Sequence, residues 1–63
     1  MRNLKYKLED YVRLKNGNIV KIIDKFPSHY LFDYASREYL IDEHNIEDYA
    51  TEEEVLVYKI IND

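Results

Sequence analysis

The stretch Tyr11 to Phe26, YVRLKNGNIVKIIDKF, constrains this chain most. Two runs rich in β-branched and aromatic residues flank Asn16-Gly17, which predicts a β-hairpin. A two-residue type I′ turn needs positive φ at both central residues, which Asn tolerates and Gly adopts freely. In the second run, Ile19 to Phe26, apolar residues occupy both parities, as in a central strand. Pro27-Ser28 ends it, because proline lacks the ladder N–H and presets φ for a turn.

A lone hairpin is marginal in water, so further strands are expected. Leu4, Tyr6 and Leu8 alternate with Lys5 and Lys7, the period-2 pattern of a half-buried strand, and Glu9-Asp10 follows as a turn. After Pro27-Ser28, His29 to Tyr34 reads as a strand carrying Tyr30, Phe32 and Tyr34 on one face, either the centre of the core or a wall of a binding surface. Ala35-Ser36-Arg37 is a loop and Glu38 to Ile41 a fourth strand. Asp42 to Asn45 gives one 3₁₀ turn before Ile46 to Tyr49.

The tail supports two readings. Thr51-Glu52-Glu53-Glu54 matches a capping box with acids at the positive end of a helix dipole. Val55 to Ile61 is instead β-branched and apolar, without the polar stripe of an amphipathic helix. We read it as a strand pairing with the N-terminal one and closing the sheet. The expected fold is all-β: one domain over residues 1–63, a small SH3-like antiparallel barrel of five to six strands with a short 3₁₀ turn. The placement of that turn before the last strand is a fold-level analogy.

Composition limits the rest. A 63-residue chain buries only about 60% of its unfolded surface, and without cysteine it has no covalent staple or thiolate metal site. A homo-oligomer is one way to cover the shortfall. No signal-peptide or membrane-spanning apolar run is present, so the chain is read as cytoplasmic, with no membrane partner. The net charge of −4 is unevenly spread: residues 1–37 hold eight Lys/Arg against four Asp/Glu, and residues 38–63 hold one against nine. One side of a barrel built from both halves would be basic and the other acidic.

Lys7 to Ile22, KLEDYVRLKNGNIVKI, resembles the opening of small SH3-like barrel proteins of phages and prophages in low-GC Gram-positive bacteria. These typically read Lys-hydrophobic-Gly-Asp-x-Val-Arg, then Asn-Gly, then Ile-Gly-Lys-Ile. Tyr39 to Asp48, YLIDEHNIED, looks like the section that follows their fourth strand. Glu9 and Val20 stand where the pattern has glycine. The resemblance implies a barrel in a mobile-element setting, and most such proteins have no assigned activity. The opening also looks like the KOW type of barrel, whose relatives bind nucleic acid or ribosomal and transcription proteins.

Nothing in the spacing assembles Ser28 or Ser36 with His29 or His44 and an acid into a nucleophilic triad, so no enzyme is expected. Asp42, Glu43, His44, Glu47 and Asp48 lack the glycine and alternating oxygens of a calcium loop, so no metal or other cofactor is expected. Lys5, Lys7, Arg13, Lys15, Lys21 and Lys25 with Tyr6, Tyr11 and Tyr30 would serve nucleic-acid binding, but a pI near 5.0 opposes it. A protein partner is the expectation. Its candidate surface is Tyr11, Tyr30, Tyr34, Tyr39 and Tyr49, since aromatic residues anchor interfaces. Beside them lie Asp42, Glu43, Glu47, Asp48, Glu52 and Glu53. These acids carry the alternative, a phage inhibitor whose carboxylates imitate phosphates in a basic groove of a host nucleic-acid enzyme.

Overall fold

The computed structural model describes residues 5–34 and 36–62. Five strands, β1 (Tyr11–Leu14), β2 (Ile19–Lys25), β3 (His29–Tyr34), β4 (Arg37–Asp42) and β5 (Ile46–Tyr49), make one antiparallel sheet in the order β4-β3-β2-β1-β5. A 3₁₀ turn at Glu43–Asn45 precedes β5, and a helix, α1 (Glu52–Asn62), follows it. This is a small SH3-like antiparallel barrel of five strands, left open between the β4 and β5 edges.

The β1–β2 connection differs from the expected two-residue turn. Val12 pairs with Val20 and Arg13 with Ile19, so the loop holds three residues, Lys15 to Gly17. The Gly17 N–H donates to the Leu14 carbonyl at 2.9 Å and the Leu14 N–H to the Asn18 carbonyl at 2.8 Å. Gly17 has φ +95°, while Asn16 is not in the left-handed region. This is the three-residue hairpin ending in a glycine bulge. Burial decides the register: Val12, Leu14, Val20 and Ile22 are all buried, and a one-residue slip would turn one strand's set outward.

The alternating segment before β1 is not a strand. Tyr6 enters the core, but Leu8 is half exposed, and Leu4 lies outside the described residues. A tight turn interrupts the pattern: the Lys7 N–H donates to Asp10 Oδ2 at 2.9 Å and the Asp10 N–H to the Lys7 carbonyl at 3.1 Å. Glu9 sits there with φ +72°, holding a left-handed conformation where the resembled pattern has glycine. Its N–H donates to the Ile22 carbonyl at 2.7 Å, which ties the turn to β2.

The tail is a helix, not the strand expected from its β-branched body. The capping box forms in full: the Thr51 N–H donates to Glu54 Oε1 at 2.8 Å, and the Glu54 N–H to Thr51 Oγ1 at 3.2 Å. A β-branched residue lowers helix stability by only about 0.5 kcal/mol. The strand reading paired the tail with an N-terminal strand, and among the described residues Lys5 to Asp10 form none.

The core consists of Tyr6, Val12, Leu14, Val20, Ile22, Tyr30, Phe32 and Ile46, with Ile41 packed against it. Each such side chain contributes about 1.5–3 kcal/mol when fully buried, and none comes from α1. The Tyr30 hydroxyl accepts the Tyr6 N–H at 2.9 Å inside it, satisfying a backbone donor that would otherwise be stranded.

Candidate functional site

The tyrosines proposed as one surface separate in the structure. Tyr30 is wholly buried, and burial pushes its hydroxyl above the usual tyrosine value. It is a core residue and leaves the candidate partner surface. Tyr34 belongs to the same strand face four residues on, but it stands at the last position of β3 and is exposed. Tyr39 stacks on Phe32 with ring centroids 5.4 Å apart, and Tyr49 meets Tyr6 edge-on at 4.9 Å. Both leave about two fifths of their surface in water. Tyr11, half-buried, packs edge-on against Tyr58 of α1 at 5.3 Å, with Lys59 Nζ 5.6 Å from its ring centre.

The acidic residues divide in the same way. Arg13 reaches from β1 to Glu47 Oε1 and Glu54 Oε1, each at 2.7 Å. The hydrogen bond that it donates to Glu47 and the charge of Glu54 raise its pKa further. Glu54 is held below the usual carboxylate value, first by the Thr51 N–H and then by Arg13. Asp42 Oδ1 lies 2.8 Å from His29 Nε2, Glu43 accepts the Lys5 N–H at 3.3 Å, and Asp48 accepts the N–H of Tyr49. Glu52 and Glu53 are exposed on the first turn of α1.

One constellation that the sequence spacing did not suggest is formed. Ser28 Oγ lies 2.8 Å from His29 Nδ1, and His29 Nε2 faces Asp42, because register pairs His29 with Asp42 across β3 and β4. His29 and Asp42 are nearly half exposed, and none of the three borders either hollow described below. The three side chains together bridge the start of β3 to the end of β4. Among the described residues no group of three or more His, Asp or Glu is placed to hold a metal ion. No described helix is long and apolar enough to cross a membrane.

The concavity that does form lies between α1 and the sheet end. It encloses about 790 Å³, walled by Gly17, Asn18 and Ile19 of the hairpin, Tyr34 and Ser36 of the β3–β4 end, and Val57, Tyr58 and Ile61 of α1, with Glu53 and Glu54 at one end. Leu56 and Ile60 extend the apolar face of α1 beside Val57 and Ile61 of the wall; the four, at i, i+1, i+4 and i+5, are all exposed, Ile60 by 77%. A second, polar hollow of about 240 Å³ lies on the other flank of α1. Of the main groove's walls, only Tyr34 and Glu53 were among the candidates. The stripe at 56, 57, 60 and 61 is legible only once the capping box is taken as the start of a helix.

Fold and site together define a small open barrel with an appended helix that frames an apolar groove. The chain matches no protein-family model, and comparisons with curated proteins and with solved structures find no match.

Proposed function

We propose that this chain is a non-catalytic protein-binding barrel of phage or mobile-element origin that acts in the cytoplasm. The observation that carries the reading is the groove of about 790 Å³ with Tyr34 in its wall, continuous with apolar side chains left in water on α1. Contiguous exposed apolar surface is a mark of interaction sites, and tyrosine is the residue that interfaces use as an anchor. The resemblance of Lys7 to Ile22 to phage and prophage barrels supports the mobile-element part, and the absence of cysteine is compatible with a reducing compartment.

The test is affinity capture from nuclease-treated lysate of a low-GC Gram-positive bacterium, comparing the native chain with Tyr34→Ala, Tyr39→Ala and Tyr49→Ala. Capture of one protein by the native chain, lost in at least one variant with an unchanged circular dichroism spectrum, is expected. Equal capture by all four chains, or none by any, overturns the reading.

A second reading, an acidic inhibitor lying in a basic groove of a nucleic-acid enzyme, has a specific observation in its favour. Asp48, Glu52 and Glu53 are exposed and engage no cation among the described residues, whereas Glu47 and Glu54 are committed to Arg13. Asp48→Lys, Glu52→Lys and Glu53→Lys together would abolish such binding and leave the fold intact. Binding unchanged by the triple reversal sinks it.

A further inference from the structure

We infer that the groove and the outer face of α1 receive a basic amphipathic helix from a partner protein. The inference rests on the protein-binding reading and names the chemistry of the partner. Two features point to it. The helix α1 contributes no buried residue while Leu56, Val57, Ile60 and Ile61 stand in water along one side. Val57 and Ile61 also form a wall of the groove opposite Ile19 and Tyr34. An apolar trough of this kind accepts apolar side chains spaced i, i+3 or i+4, and i+7, the helix-in-groove mode.

Charge selects the occupant. Among the described residues the only charged ones bordering the groove are Glu53 and Glu54, and Glu54 already holds Arg13. Glu53, with Glu52 beside it, is open to a cation at the end of an incoming segment. The α1 helix of a second copy supplies none on its apolar face. The one cation of α1, Lys59, lies over the Tyr11 ring on the sheet side. Two α1 helices packed antiparallel would set the acidic first turn of each against the negative dipole end of the other, and parallel packing would gather all the carboxylates together. An anionic lipid surface is opposed by the same acids, since helices that lie on membranes carry Lys and Arg on their polar face.

The experiment is fluorescence anisotropy with two labelled synthetic peptides of about four turns, one a Leu/Lys amphipathic helix and the other its Leu/Glu counterpart. The native chain is expected to bind the Leu/Lys peptide at least tenfold more tightly than the Leu/Glu peptide. Ile60→Glu separates the causes. It adds a negative charge at a position 77% exposed, so the fold is untouched. Association by charge alone would tighten, and docking through the apolar face would weaken at least tenfold. Val57→Glu should weaken it similarly, and Glu53→Gln by about twofold to fivefold.

Binding of the Leu/Lys peptide that Ile60→Glu leaves unchanged or strengthens overturns the inference. So does a dimer of the native chain in sedimentation that Ile60→Glu dissolves, which would make a second copy the occupant. Native-chain binding to phosphatidylglycerol vesicles, lost in Ile60→Glu, would assign the face to lipid. If lysate capture depends on Tyr39 or Tyr49 but not on Ile60, the inference falls while the protein-binding reading stands. Absence of any capture removes that reading itself.

Discussion

At the scale of single residues, two positions carry more than their side-chain type suggests. Gly17 closes the first hairpin at φ +95°, and a Cβ built there meets nothing within 4 Å. The cost of Gly17→Ala is therefore backbone strain alone, about 1–2 kcal/mol, partly offset by the stiffer unfolded chain. A net loss of about 1 kcal/mol should lower the melting temperature by roughly 5 °C, measured by thermal circular dichroism; an unchanged midpoint would show that the loop relaxes into another turn. Tyr30 is the second. Tyr30→Phe keeps the ring but strands the buried Tyr6 N–H that the hydroxyl accepts, so about 1–3 kcal/mol should be lost in urea unfolding. Tyr34→Phe, at an exposed hydroxyl with no core donor to satisfy, should stay within about 0.5 kcal/mol of the native chain. Sequence periodicity placed both tyrosines on one face; it could not show that Tyr34, at the last position of β3, is exposed while Tyr30 is buried.

At the scale of elements, α1 is attached by polar and edge contacts rather than by burial. Arg13 grips Glu54, Tyr11 meets Tyr58, and Thr51 caps the first turn. Glu54 is held below its ordinary value of 4.5 by the Thr51 N–H and Arg13. A carboxylate with a depressed folded pKa stabilises the fold fully above its unfolded value, and the contribution is lost as pH falls through the folded one. Ellipticity at 222 nm should therefore hold above pH 4.5 and decline below it. Glu54→Gln, which cannot titrate, should start lower at neutral pH and flatten that decline; parallel curves for the two chains would show that other carboxylates govern it. The same helix marks the limit of legibility. Strands β1 to β5 and the 3₁₀ turn follow from alternation and turn residues, because each half-buried strand must show its inward face. The tail satisfied helix signals at its start and strand signals in its body. The helix goes with the capping box that Thr51 and Glu54 close and with Arg13 holding Glu54, while the segment expected to pair with the tail turns at Lys7–Asp10 instead. The groove was hidden for the same reason: Ile19, Tyr34 and Val57 come from three separate elements and meet only if the tail is helical.

At the scale of the molecule, the charge asymmetry along the chain is partly cancelled by the fold. Arg13 from the basic half holds Glu47 and Glu54 from the acidic half, and His29 lies against Asp42, whereas Asp48, Glu52 and Glu53 stay exposed. The core draws one residue from the N-terminal segment and the others from β1, β2, β3 and β5, so the buried core is complete without α1. A chain ending at Ala50 should then still unfold cooperatively, lose the 222 nm helical signal, and melt at a lower temperature. Part of that decrease is the Tyr11–Tyr58 pair, about 0.5–1.5 kcal/mol. It should also lose the Leu/Lys peptide, because half the groove wall leaves with α1. A shortened chain that cannot fold would place the helix among the structural elements, whereas one that folds and still binds the peptide would move the docking site onto the sheet. The expected combination, a folded barrel without peptide binding, separates the two tasks within this chain: the sheet supplies stability, and the helix supplies the surface that a partner reads.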